Sequence, residues 1–281
     1  MNKQRVLITG AKGQLGSELT KLLKSQNYAV YGFGREELDV TDIDNVKKTF
    51  NQVMPDIVIH TAAFTKVDEA ESFMDKAFLV NSFGTRNIAV ISQSICAKLV
   101  YISTDYVFDG TSKVPYNEFD LTNPMNIYGK SKVEGEHFVQ NLHSKYFIVR
   151  TSWVYGDEGN NFVKTMIQLA KEGKEIKVVK DQIGCPTYAV DLAECISSLI
   201  RTEKFGIYHV SNSGHCSWYE FASAIFNELN YEIKLSPCVT SDFPRPAHRP
   251  GLSILDHTAL RINGFKSMRH WQEALREFLG S

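Results

Sequence analysis

The segment Tyr128-Gly129-Lys130-Ser131-Lys132 sets a phenol and an ammonium four residues apart. On a helix, such residues share a face. An ammonium beside a phenol favours the phenolate and lowers its pKa from about 10. Tyr128 tuned in that way would pass a proton near neutral pH. The spacing alone is common, so the pair needs company. Thr104 supplies it, at the end of the apolar run Tyr101-Ile102-Ser103-Thr104. If that run is a strand of an open α/β sheet, its carboxyl end is where ligands sit. The Thr104 hydroxyl is then free to hydrogen-bond a substrate carbonyl, and its competing role is a local backbone cap.

Another group of residues binds rather than reacts. Gly10-Ala11-Lys12-Gly13-Gln14-Leu15-Gly16 follows a short β-branched run and precedes helical spacing at Leu19, Leu22 and Leu23. The pattern is G-x-x-G-x-x-G. Gly10 permits a tight turn, Gly13 lets backbone approach a pyrophosphate, and Gly16 lets the helix pack close. The helix start, at Gln14 and Leu15, presents unpaired N–H groups and positive dipole to phosphate. A dinucleotide fits this loop. Strand two ends Tyr31-Gly32-Phe33-Gly34-Arg35, without the carboxylate that would take a ribose 2′-hydroxyl. Arg35 can instead fork onto a 2′-phosphate, with Lys12 adding charge. This favours NADPH, with NADH the alternative. Glu36 or Glu37 would reach a ribose if the strand ran longer. Asp39, with Val40 beside it, is placed to accept from an adenine amino group.

The elements that must position these groups alternate. Residues 6–9, 28–33, 57–59, 99–102 and 146–149 read as strands. Residues 44–53, 77–94 and 128–142 read as helices. Alternation of this kind means βαβ units and a parallel sheet. The strands lack polar alternation, as burial on both faces requires. After Arg150 the texture changes. Residues 161–173, 188–201, 218–229 and 268–279 read as helices, with Ser217 placed to cap the third. Residues 241–251 carry three prolines and two arginines and should be irregular. The expected fold is α/β: a Rossmann-type doubly wound parallel sheet with a smaller C-terminal α/β substrate lobe. Residues 1–152, with 187–205 returning to them, form the dinucleotide layer, and 153–281 are mostly the second lobe.

Composition narrows the classes. The chain has 281 residues, a formal net charge of -1 and 43% hydrophobic residues. That composition is globular, and the length suits two domains or one large one. Near-neutral charge gives no reason to seek nucleic acid or membrane. No window reaches the roughly 18 apolar residues of a spanning helix, and the run after Met1-Asn2-Lys3-Gln4-Arg5 is too short for a signal segment. Five cysteines without a C-x-x-C pair read as free thiols of a reducing cytosol. Cys185, beside Pro186, has no evident histidine partner and reads as structural. The eight histidines show no ligand spacing, and no metal is expected.

The residues resemble the extended short-chain dehydrogenase/reductase family over most of the chain. The likeness rests on the glycine loop, Asp39, Ala62-Ala63 after strand three, Asn81-Ser82-Phe83-Gly84-Thr85-Arg86-Asn87, Thr104, and Tyr128 with Lys132. More specific phrases run from His60 to Glu71, from Ser103 to Gly110, from Arg150 to Gly156, and over Asn160-Asn161-Phe162 and Arg249-Pro250-Gly251-Leu252-Ser253. The resemblance implies NADPH-dependent reduction of the 4-keto group of a dTDP-linked 6-deoxyhexulose, dTDP-4-dehydro-L-rhamnose, to dTDP-L-rhamnose. It implies that Tyr128 donates the proton, Lys132 lowers the Tyr128 pKa and holds the nicotinamide ribose, and Thr104 polarises the carbonyl. Asp105 and Trp153 would contact the sugar, and Ala62, Ala63 and Phe64 would line the cofactor groove. Arg245 and Arg249 are candidates for the diphosphate, since guanidinium forks onto phosphate oxygens. Residues 181–187 would shape the pocket.

Rival readings follow from the same resemblance. A 4,6-dehydratase carries Asp-Glu after the threonine, whereas this chain has Asp105-Tyr106. A 4-epimerase or another nucleotide-sugar reductase keeps the Tyr and Lys. A non-enzymatic NADP-binding regulatory subunit would lose them, and here they are present. Relatives whose dimers are bridged by a metal use a glutamate at the Glu18 position and another near Tyr188. Val190 stands at the second place, so Glu18 reads as a solvated helix charge and the chain as a monomer or homodimer.

Overall fold

Successive residues of the first strands point to opposite faces, and each face has its own cover. In this computed structural model, residues 3–173 and 175–280 are described, and Met1, Asn2, Lys174 and Ser281 lie outside them. The chain begins with β1 (Arg5–Thr9), α1 (Gln14–Ser25), β2 (Ala29–Phe33), α2 (Ile43–Val53) and β3 (Ile57–His60). Then come α3 (Val67–Ser72), α4 (Met74–Phe78), a π-turn (Leu79–Gly84), α5 (Thr85–Ser94) and β4 (Lys98–Thr104). A 3₁₀ turn (Asp105–Val107) leads through a long loop to α6 (Ile127–Leu142) and β5 (Tyr146–Thr151). The remainder is β6 (Val154–Tyr155), α7 (Phe162–Lys171), β7 (Ile176–Val179), β8 (Ile183–Gly184), β9 (Thr187–Tyr188), α8 (Ala189–Ile200) and β10 (Gly206–His209). It ends with β11 (Cys216–Ser217), α9 (Trp218–Glu228), β12 (Leu235–Cys238), a 3₁₀ turn (Thr240–Asp242), α10 (Thr258–Ile262) and α11 (Trp271–Gly280).

Six strands form one parallel sheet in the order β2-β1-β3-β4-β5-β10. The order reverses between β1 and β3, which opens a crevice at their carboxyl ends. Val6, Ile8, Ile57, Ile59 and Val100 pack with Leu19 and Leu23 of α1 and Leu192 and Ile196 of α8. Their neighbours Leu7, Val58, Leu99 and Tyr101 pack with Val46 and Phe50 of α2, Ile88 of α5 and Val139 of α6. The period of two thus feeds two cores, and the strands read as unbroken apolar runs for that reason. Full burial of each leucine contributes about 1.5–3 kcal/mol. Leu19→Ala would leave a cavity under the phosphate loop's helix and cost about 2–5 kcal/mol.

The later part of the chain builds differently. Apart from β10, which joins the large sheet, its strands are two to four residues long and pair only two by two. Their core is aromatic: Tyr155, Phe221 and Trp271 are buried with Val163, Ile225 and Leu275. Ser217 caps α9 in a reciprocal box with Glu220. Residues 243–250 are irregular, as three prolines dictate.

β4 ends at Thr104, as the run Tyr101–Thr104 implied, with Ser103 and Thr104 paired to Arg150 and Thr151 of β5. Two local readings need correction. The helical run 77–94 contains a π-turn at Leu79–Gly84, within which Asn81 bonds its side chain to the backbone of Phe64. Glu18 is not a solvated charge. It is 9% exposed and pairs with Lys21 at 2.9 Å, beside Val190.

Candidate active site

The carboxyl ends of β1, β3, β4 and β5 border a cleft of about 670 Å³. At one end lies the glycine loop. Gly10 takes φ 66, and its N–H···O pattern turns the chain so that Gly13 N donates to Gly10 O at 3.0 Å. A Cβ on Gly16 would stand 2.3 Å from Gly10 O, so the first turn of α1 can lie on the loop only without a side chain there. The loop's N–H groups and the start of α1 form a cradle for pyrophosphate. Gly10, Lys12, Gly13, Gln14, Leu15, Gly16, Arg35, Asp39, Val40, Ala62, Ala63 and Phe64 all line the cleft. This cradle fits a dinucleotide.

The adenosine end shows what each charge does. Arg35 is exposed on the rim. Lys12 pairs with Glu37 at 3.4 Å, and Glu37 also accepts from Gly34 N at 2.7 Å. The Gly34 N–H and then Lys12 hold the Glu37 carboxyl below its usual range. β2 ends at Phe33, so Glu37 is a turn cap rather than a ribose ligand. Asp39 Oδ1 is committed to Thr41, accepting from its N–H at 2.9 Å and its hydroxyl at 2.7 Å.

At the other end, α6 presents Tyr128 and Lys132 to the cleft together with Thr104, Asp105, Thr151 and Trp153. The helix starts where Asn126 accepts from Gly129 N at 2.7 Å. Lys132 is 2% exposed and donates to Ile102 O at 2.7 Å. Burial lowers the Lys132 pKa to about 7, and Glu136 opposes the fall.

Here two expectations change. Tyr128 is not tuned downward by Lys132 in this arrangement. Burial pushes its phenol up to about 12, Thr104 lowers it, and Asp105 raises it further. The ammonium is hydrogen-bonded to a carbonyl of β4. The Tyr128 phenol is therefore held in its protonated form. Thr104 is not a free hydroxyl either. It donates to Asp105 Oδ1 at 3.0 Å and accepts from Tyr106 N at 3.2 Å, capping the 3₁₀ turn. Both the cap and the contact with Tyr128 use the same oxygen.

Asp105 is buried, and its Oδ2 has no hydrogen-bond partner among the described residues. Burial raises its pKa to about 6, while Ser253 and Thr104 favour the ionised form. The Thr151 hydroxyl is likewise buried without a partner among the described residues, and it lines the cleft. Buried polar atoms are normally paired, so these two are the open valences of the site. Thr151 was not singled out from the sequence, although it lies in the Arg150–Gly156 phrase.

Trp153 takes φ 48, a left-handed conformation that costs a bulky residue about 1–2 kcal/mol. Its indole stacks on Trp218 at 3.5 Å and 10°, and Phe162 lies 4.5 Å beyond. An aromatic slab thus runs from the second lobe's core to the cleft wall. Arg249 makes a bidentate pair with Asp68, at 2.6 and 3.0 Å, and does not point at a free anion site. Against the upward push of burial, Arg249 and the Ala247 N–H hold the Asp68 carboxyl low. Arg245 lies over the Phe243 ring at 4.6 Å.

A network behind the cleft fixes its floor. Ala62 N donates to Thr9 Oγ1 at 3.2 Å, and Thr85 donates to Asn81 O at 2.7 Å. Thr9 must then donate to His60 Nδ1 (2.7 Å), and His60 Nε2–H to Thr85 (3.1 Å). The imidazole is neutral, since burial lowers its pKa to about 3. Asn81 also donates to Ser131 Oγ at 2.9 Å, tying the Phe64 loop to α6. Cys185 is buried, and burial pushes its thiol up to about 11, which is inert. Among the described residues, no group of three or more His, Cys, Asp or Glu could hold a metal. Nor is any described helix long and apolar enough to cross a membrane.

Comparison with known proteins agrees with this geometry. A dTDP-4-dehydrorhamnose reductase from Bacillus anthracis, solved in complex with NADP, superposes with a TM-score of 0.97 at 53% identity, over 99% of both chains. The spore coat polysaccharide biosynthesis protein SpsK of Bacillus subtilis is 47% identical over 98% of this chain and 96% of its own. A dTDP-4-dehydrorhamnose reductase of Aggregatibacter actinomycetemcomitans is 41% identical over 97% of each. The model of the RmlD substrate binding domain matches residues 4–281, and the chain belongs to that family.

Proposed function

We propose that this protein is an NADPH-dependent reductase that converts the 4-keto group of dTDP-4-dehydro-L-rhamnose to the alcohol of dTDP-L-rhamnose. One observation carries the reading: Tyr128, Lys132 and Thr104 border the same cleft as a side-chain-free phosphate cradle. The names of the relatives supply the substrate. Bound NADPH supplies hydride to the carbonyl carbon. Tyr128, protonated at neutral pH, donates its proton to the oxygen that becomes the hydroxyl. Thr104 orients that oxygen, and Lys132 supplies positive charge and holds the nicotinamide ribose. Gly10, Gly13 and Gly16 receive the pyrophosphate, and Arg35 the 2′-phosphate.

Residues 1–152, with 187–205, are proposed to hold the cofactor, and 153–281 mostly the sugar nucleotide. Asp105 and Trp153 face the sugar. Arg249 would exchange Asp68 for a phosphate oxygen. The protein is taken to act in the cytoplasm, as a monomer or homodimer. The test is loss of NADPH absorbance on adding dTDP-4-dehydro-L-rhamnose, with the product identified by chromatography. Oxidation with dTDP-L-rhamnose formed is the expected result. NADPH binding without oxidation would replace the reading with another sugar nucleotide or a regulatory role.

A further inference from the structure

The Lys132 ammonium lies where a charge is costly. It is 2% exposed and, among the described residues, has one hydrogen-bond acceptor, Ile102 O at 2.7 Å. An ammonium has three donors, so this single bond satisfies it poorly. Its other neighbour is a ring. Lys132 Nζ sits 4.1 Å from the centroid of Tyr101, on β4. Tyr101 is fully buried, so its ring face is shielded from water. The negative face of an aromatic ring attracts a cation, and most strongly when both are desolvated.

The ring is held in that pose from several sides. Its hydroxyl points at Asn81 O (3.4 Å) and Lys132 O (3.3 Å). His60 stacks on it with centroids 5.8 Å apart at 26°. Gly135 faces it from α6, where a Cβ would fall 2.3 Å from the Tyr101 hydroxyl. A residue serving only to fill the core would not need this arrangement.

We propose that Tyr101 is a positioning residue for the reaction: its ring face holds the Lys132 ammonium, charged and aimed, at the reacting end of the cleft. The proposal rests on the roles given above to Tyr128 and Lys132. The charged or titratable groups around the ammonium are Glu136 and Tyr128 from its own helix, Tyr101 from β4 and His60 from β3. Asp105 and Tyr106, from the turn after β4, face Tyr128. The π-turn contributes Asn81 and Ser82, which do not titrate. His60 is neutral, and Glu136 is shared with Arg150, its guanidinium donating at 2.7 Å. The ring is therefore the neighbour of Lys132 whose removal changes its environment without adding or deleting a charge.

The experiment replaces Tyr101 by Phe, and then by Phe carrying one, two and three ring fluorines, in the full chain. Fluorination drains the ring face while nearly preserving its shape, so folding is not at issue. The readout is the pH profile of kcat with NADPH and dTDP-4-dehydro-L-rhamnose, with Tyr128→Phe measured in parallel. Weakening the ring favours neutral lysine, so activity should be lost first on the alkaline side. The descending limb is expected to move to lower pH with each fluorine. Across the series, turnover on the alkaline side should fall roughly tenfold relative to Tyr101→Phe. Tyr101→Leu should fall further than Tyr101→Phe. Coincident profiles across the series, with Tyr128→Phe inactive, would overturn this inference and leave the proposed function standing. Native turnover by Tyr128→Phe would overturn both.

Discussion

The two ends of the cleft are built on opposite principles. The glycine end works through what is missing. Backbone approaches ligand there because no Cβ intervenes, and Gly16 has no room for one. The Tyr128 end works through side chains whose ordinary chemistry burial has altered. Lys132 is lowered to about 7, and Tyr128 is raised to about 12. One end thus positions a ligand by shape and dipole, and the other sets protonation states by desolvation. A substitution at the first should act on affinity, and one at the second on turnover.

The sharpest test of that division is Tyr128→Phe. It should cut kcat by about 10²–10⁴-fold, the usual worth of a positioned proton donor, while NADPH affinity by fluorescence titration stays within about twofold. A large loss of affinity would show that the two ends are not separable. Gly16→Ala approaches from the other side. The added Cβ collides with backbone, so about 1–3 kcal/mol of stability should be lost. NADPH should no longer raise the melting temperature. Normal NADPH binding with a reduced kcat would break the comparison.

Smaller effects refine it. Arg249→Gln should raise KM for the sugar nucleotide by about tenfold through loss of a charged contact, with NADPH affinity unchanged. An unaltered KM would leave Arg249 as Asp68's structural partner. Arg35→Ala should weaken NADPH several-fold more than NADH. Equal losses would mean that the rim arginine does not read the 2′-phosphate.

The smallest effect is on stability against pH. Burial lowers His60 to about 3 and His143 and His257 to about 4, and it puts His209 well below 6.5. Each binds fewer protons folded than unfolded. Their contribution is therefore complete above about pH 6.5 and is lost as pH falls toward 4. Asp105, raised to about 6, and Glu118, also raised by burial, act in the opposite sense, as two groups against four. The melting temperature should decline steadily below pH 6.5, and a flat profile down to pH 4.5 would contradict these neutral histidines.

The contrast between the ends also explains what could be read beforehand. The glycine loop is a contiguous pattern, so its place after β1 and before α1 was legible from spacing alone. The same is true of Tyr128 and Lys132, which one helix brings to one face. The Arg249–Asp68 pair was not legible, because its members lie 181 residues apart. Nor was the Trp153–Trp218 stack, since periodicity does not say which of two lobes an indole will face.

Local sequence therefore determined the alternating elements, the phosphate cradle and the pairing of Tyr128 with Lys132 on one helix face. Each of these rests on interactions within a turn or along one helix. Tertiary structure alone decided how those groups are charged and where they point. Lys132 turned to the β4 carbonyl, Tyr128 kept its proton, and Thr104 was shared between a cap and the phenol. Desolvation and long-range partners set those states, and neither exists until the sheet and α6 have packed together.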